Sequence, residues 1–154
     1  MLHDLDWLIA AELEQLRTLV QTRRPLLERT LGGAVELESL DALSALLHSS
    51  YTAMERILVH IAKREGEYEA VQNQPFLWHS ALLSRLAAPT DARPAVIGEA
   101  LHNDLKGYLG FRHVFRHAYL QELQWNKMRG LVENLERVIS VFESEIGDYL
   151  EGRR

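Results

Sequence analysis

The chain has 154 residues, a net charge of −5 and no cysteine, with 47% hydrophobic and 25% charged residues. That length supports one domain with a sizeable core, and the balance of apolar and charged residues excludes disorder and low complexity. Without cysteine there is no disulfide scaffold, thiolate metal site or cysteine nucleophile, and the acidic balance argues against nucleic-acid adhesion over the whole surface while leaving room for a local basic site.

Apolar residues recur at helical spacing almost throughout, and no stretch alternates with period two for long. The first helix is expected from about residue 2 to 30, with a stripe of Leu5, Leu8, Ile9, Leu13, Leu16, Leu19 and Val20. Its opening, MLHDLDWLIAAELEQL, carries acids inside the apolar pattern and does not read as a signal peptide. Pro25 is expected to kink the helix or end a first segment, because proline removes a backbone donor. Gly32-Gly33 then stops it, and a second helix starts near Ser39, which reads as a cap. That helix carries Leu43, Leu46, Leu47, Tyr51, Met54, Ile57, Leu58 and Ile61, stops at Gly66, and gives way to a loop over residues 67–75. A shorter helical piece, FLWHSALLSRLAA, follows Pro75 and fades at Pro89. The stretch with Pro89 and Pro94 is a connector. Helical pattern resumes near Ile97, and Gly107 and Gly110 predict a bend or a fresh start just before Phe111, since glycine costs about 1 kcal/mol against alanine inside a helix. The last helix spans about Trp125 to Glu151. These elements predict an all-α fold: one domain over residues 1–154, an antiparallel bundle of four long helices plus one short one. No run reaches the length of a membrane span, and the expected location is the cytoplasm.

One segment departs from ordinary bundle composition: Phe111-Arg112-His113-Val114-Phe115-Arg116-His117-Ala118-Tyr119. Arginine forks onto phosphate oxygens, and histidine titrates where proton transfer at neutral pH needs it. These are parts sufficient to cleave RNA without a metal: a group to take the proton from a 2′-hydroxyl, another to protonate the leaving oxygen, and a cation for the charge that grows on phosphate. On an ideal helix His113 and His117 share a face, whereas Arg112 and His117 point about 140° apart. Convergence of Arg112 and His117 therefore calls for a bend, or for a second copy that completes the site in a symmetric dimer.

The string Arg112-x4-His117-x-Tyr119 resembles the signature of the HEPN superfamily, and more closely that of HepT-like toxins. Trp78-His79 followed by Leu82-Leu83, and the connector Arg93-Pro94-Ala95-Val96-Ile97, are also similar to HepT-like sequences. The resemblance implies a small, dimerising helical bundle that acts as a metal-independent endoribonuclease toxin. Arg112 and His117 would be the catalytic pair, with His113 and Arg116 supporting it and contacting RNA. The partner would be a nucleotidyltransferase antitoxin that adds AMP to the motif tyrosine, here Tyr119. Neither a cofactor nor a metal is expected. In the family the stretch after the tyrosine is often acidic or loop-like, whereas Leu120-Gln121-Glu122-Leu123 reads as a continuing helix.

Two other functions remain open on the residues. One is a noncatalytic module that binds RNA or a nucleotidyltransferase; the other is a metal-binding bundle using the His113-x3-His117 spacing, although no Glu-x2-His repeat appears on two helices. Elsewhere ordinary structural roles are expected. Arg56 and His60 belong to a core helix with polar ends, Trp78-His79 to core packing, with lining of the cleft or docking of a partner as its alternative, and Glu133, Glu136, Glu143 and Glu145 to a solvated face. Lys63-Arg64 and Arg153-Arg154 read as solvated ends.

Overall fold

A computed structural model describes the backbone of residues 2–33, 35–117 and 125–154, and the side chains of 4–33, 35–113 and 125–154. It is all-α, with no strand among the described residues. The helices are α1 (Leu2–Leu31), α2 (Leu37–Arg64), α3 (Tyr68–Gln72), α4 (Trp78–Leu86), α5 (Glu99–His117) and α6 (Trp125–Gly152). No described helix is long and apolar enough to cross a membrane.

The direction of each helix follows from its polar pairs. Asp6, Arg17 and Glu136 illustrate the α1–α6 register: Asp6 meets Arg154, Arg17 meets Glu143, and Arg24 meets Glu136. Positions rise on α1 as they fall on α6, so the two are antiparallel. On α5 and α6 the same holds, with Gly98 beside Glu145, Asp104 beside Arg137, and Tyr108 beside Leu131. Between α2 and α6 both rise together: Ser44 contacts Met128 and Glu65 contacts Tyr149. The four long helices thus run up, down, up, down, with α1 also packed along α2, and α2 along α5. Helices α3 and α4 are inserted between α2 and α5 and pack against them. The predicted stripes face one shared core, in which Leu43, Met54, Ile57, Leu105, Leu135 and Phe142 are fully or almost fully buried.

Several expectations are corrected. Helix α1 continues through Pro25 to Leu31. The proline ring is exposed, so the Gln21 carbonyl it deprives of a donor lies on the solvent side, where water can satisfy it. The 67–75 stretch contains α3 rather than loop alone, which makes two short helices. Helix α2 begins at Leu37 with Glu36 as its N-cap, so Ser39 lies within the first turn. The fifth helix begins at Glu99, and the Glu145 carboxylate accepts from the Gly98 amide. No fresh start occurs at Gly110, since α5 runs unbroken from Glu99 to His117. Gly107 serves packing instead: a Cβ there would stand 3.3 Å from Leu131 Cδ2 on α6.

Gly66 ends α2 for a specific reason. Its φ is +74°, the Gly66 amide donates to Lys63 O at 3.2 Å, and the Glu67 amide donates to Ala62 O at 2.8 Å. This is a Schellman reversal, which favours glycine at the left-handed position. It aims Glu67 into the bundle, where the Arg93 side chain, 1% exposed, donates to both carboxylate oxygens at 2.6 and 2.8 Å. Arg93 also donates to the carbonyls of Arg85, Ala88 and Pro94 at 2.9–3.1 Å, and Arg85 adds a 2.8 Å bond to Glu67. The arginine hydrogen bonds hold the Glu67 carboxyl below its ordinary range, against the opposing effect of burial. With Val96 N donating to Leu86 O at 2.8 Å, the α4–α5 connector is tied down at both ends.

Of the polar ends, Lys63 and Arg154 are exposed as expected, whereas Arg64 and Arg153 are partly buried. Arg153 donates to Glu65 at 3.0 Å and to Ala92 O at 3.1 Å, and Lys63 sits 5.0 Å over the Tyr68 ring. Glu143 and Glu145 are half-buried in an ion pair and a helix cap, so they do not belong to a solvated face.

Candidate functional site

The start of α4 and the second half of α5 enclose a cleft of about 930 Å³. Positions 106, 109, 110, 112 and 113 recur at helical spacing, so Lys106, Leu109, Gly110, Arg112 and His113 line one wall together. Pro75, Phe76, Trp78, His79 and Ser80 line the other. Two cations and two histidines therefore face the space, and no carboxylate lines it among the described residues. In a chain of net charge −5 this is a concentrated positive site. Phe76, 96% exposed, stands at its edge.

Behind the cleft lies a polar chain drawn from three helices. Glu55 of α2 is buried, on the face that also carries Tyr51 and Leu58. Its Oε2 lies 2.7 Å from His79 Nδ1 of α4. A carboxylate accepts, so the His79 Nδ1–H donates to Glu55. Arg112 Nη1 of α5 sits 3.3 Å from His79 Nε2 and 3.4 Å from Nδ1. A nitrogen nearly equidistant from both ring nitrogens lies against the ring rather than on one lone-pair axis. Trp78 stacks on the same imidazole, with centroids 3.7 Å apart and planes at 30°. The Tyr51 hydroxyl is buried near Glu55, and burial first, then the carboxylate charge, hold it well above the ordinary range. It stays protonated at any pH the protein meets.

Arg112 and His113 thus line one cleft. Arg116 and His117 lie on the α5 backbone, and their side chains are outside those described. Tyr119 and residues 120–123 are outside the described residues altogether. Helix α5 is continuous through His117, so no new helix begins between Arg112 and His117. The His113–His117 metal alternative depends on one side chain outside those described. Among the described residues no three His, Asp or Glu side chains gather closely enough to hold a metal ion.

Of this chain of contacts, Trp78 and His79 take the cleft-lining alternative beside core packing, and Glu55 was not singled out in the sequence. Trp78 does pack against the core, but it also lines the cleft, and His79 bears on Arg112. Glu55 carried one readable signal: an acid between Tyr51 and Leu58 on an apolar stripe is an acid placed inside. By contrast Arg56 takes the structural role expected of it, with an exposed ion pair to Glu12 at 3.1 Å.

The all-helical fold is consistent with a HEPN-like bundle. A family model described as HepT-like protein matches residues 42–152, well over half of the chain, and the chain belongs to that family. Helix α1 lies outside the matched span. Comparisons with curated proteins and with solved structures found no match.

Proposed function

We propose that this protein is a metal-independent endoribonuclease, the toxin of a toxin–antitoxin pair whose antitoxin is a nucleotidyltransferase. The observation that carries the reading is Arg112, the first residue of the family's motif, set in a cleft walled by cations and aromatics with no carboxylate. Such a wall suits a polyanion whose bases can stack.

In this account Arg112 grips the scissile phosphate, and His117 moves the proton. The 2′-oxygen attacks phosphorus as its proton is taken, the bond to the 5′-oxygen breaks, and that oxygen is protonated. The products end in a 2′,3′-cyclic phosphate and a 5′-hydroxyl. His113 and Arg116 contact flanking phosphates. On a continuous α5, Arg112 and His117 of one copy diverge by about 140°, which favours a homodimer whose cleft takes one residue from each copy. The antitoxin transfers AMP from a nucleoside triphosphate to the Tyr119 oxygen with loss of pyrophosphate. The added phosphate places negative charge where RNA phosphate must sit.

The test is cleavage of total RNA by the purified protein in EDTA, beside Arg112→Ala and His117→Ala, with intact mass recorded first to exclude AMP on Tyr119. Fragments from the unmodified wild type alone support the assignment. Intact RNA with unmodified, folded protein would make it a noncatalytic RNA- or antitoxin-binding module, and cleavage lost only in EDTA would return the metal reading.

A further inference from the structure

We infer that Glu55 and His79 are a positioning pair that holds the Arg112 guanidinium in the cleft, an inference that rests on Arg112 as the phosphate-binding residue. Nothing in helix α2 requires an acid at position 55. The side chain is 8% exposed on a face otherwise given to the core, where an aliphatic residue would pack as well. A buried carboxylate costs several kcal/mol unless it is paired, and Glu55 is paired with His79.

The geometry shows what that charge does. By accepting from Nδ1 at 2.7 Å, Glu55 fixes both the tautomer and the plane of the imidazole. Trp78, stacked at 3.7 Å, fixes the plane a second time. The ring so held carries Arg112 Nη1 at 3.3–3.4 Å from its two nitrogens. Arg112 Nε is buried with no partner among the described residues, so the ring is what locates this guanidinium there. Glu55 and Arg112 both contact the His79 ring, and both act on the buried Tyr51 hydroxyl. A flexible arginine that must fork onto a phosphate loses little freedom at the moment of reaction if it is already seated.

His79 and Glu55 therefore act through Arg112, which their substitution should reveal. His79→Ala is expected to lower kcat on RNA by about 10- to 100-fold, the cost of misplacing a reacting group by about 1 Å, with KM within about twofold. In an Arg112→Lys background the same substitution should add little, because the residue it positions is already gone. Glu55→Gln keeps an acceptor for Nδ1 and removes the charge, so its loss should be smaller than that of His79→Ala. His79→Asn, which keeps a donor toward Glu55, should recover part of the activity and serves where the alanine variant fails to fold. Losses that multiply in full in the Arg112→Lys background would overturn the pairing.

A second readout needs no activity. In protein with nitrogen-15 arginine, the Arg112 Nε–H signal, assigned by its absence in Arg112→Lys, should be shifted and slow to exchange in the wild type. It should move to the position of a free arginine in His79→Ala while backbone amides on α1 and α6 stay in place. An unchanged Nε–H signal in His79→Ala contradicts the positioning role. If the wild type cuts no RNA while that signal still moves, the ribonuclease assignment fails and the Glu55–His79–Arg112 linkage stands.

Discussion

Replacing Arg93 with methionine removes a guanidinium and keeps an apolar stem of similar reach. The side chain is 1% exposed and makes two bonds to Glu67 and three to carbonyls, one in the last turn of α4 and two in the α4–α5 connector. Removing one partner of a buried pair leaves the other charge inside, at a cost of about 3–5 kcal/mol. Arg85 remains on Glu67 but is 44% exposed, and an exposed pair contributes only about 0.2–1 kcal/mol. Arg93→Met should therefore lose most of that 3–5 kcal/mol, on the order of 10 °C in melting temperature for a chain of this size, and Arg85→Met less than about 1 kcal/mol. Urea unfolding followed by circular dichroism reads both. The pH dependence has a definite sign. Because the folded state holds the Glu67 carboxyl below its ordinary value, its contribution is present above the unfolded-state pKa of about 4.3 and is lost as pH falls through the folded value. The gap between wild type and Arg93→Met should accordingly narrow in acid. A loss under about 0.5 kcal/mol for Arg93→Met, the scatter of ordinary surface substitutions, or equal losses for the two variants, would refute the clamp.

Gly66→Ala forces a Cβ into a left-handed residue at φ +74° and should cost about 1–2 kcal/mol by the same unfolding assay. Gly130→Ala meets nothing within 4 Å inside α6 and should instead stabilise by about 0.5–1 kcal/mol. Tyr108→Phe breaks the 2.7 Å bond to Leu131 O that ties α5 to α6, and should cost about 0.5–1.5 kcal/mol in thermal melts. These last two changes lie away from the Arg112 cleft, and RNA cleavage measured beside stability should stay near wild type.

The bundle was readable because its stripes are long. Val132, Leu135, Phe142 and Ile146 recur on one face of α6, and all are buried. What periodicity conceals is the neighbour across the interface. Gly107 looked like a weak point in α5, yet it admits Leu131; Pro25 looked like a break, yet its orphaned carbonyl has solvent. The site divides in the same way. Arg112 and His113 stood out because charges crowd an apolar helix within a few residues. Glu55 did not stand out, and the contact of His79 with Arg112 was not legible, since the two come 57 and 33 positions away in the chain from Arg112 and meet it only once α2, α4 and α5 are packed. Glu67 and Arg93 were likewise unremarkable as single letters, and only the Schellman turn at Gly66 brings them together.

The central claim is that RNA is cut by its own 2′-oxygen at a site built on Arg112 and His117. The most direct measurement takes a short RNA with one mapped cut site, digested in EDTA by unmodified protein, and determines the ends by mass spectrometry. The account predicts a 2′,3′-cyclic phosphate and a 5′-hydroxyl, with no cut when the single nucleotide before the scissile bond is 2′-deoxy. Cleavage of that 2′-deoxy substrate, or products with a 5′-phosphate, would mean that water or another nucleophile attacks, and would contradict it.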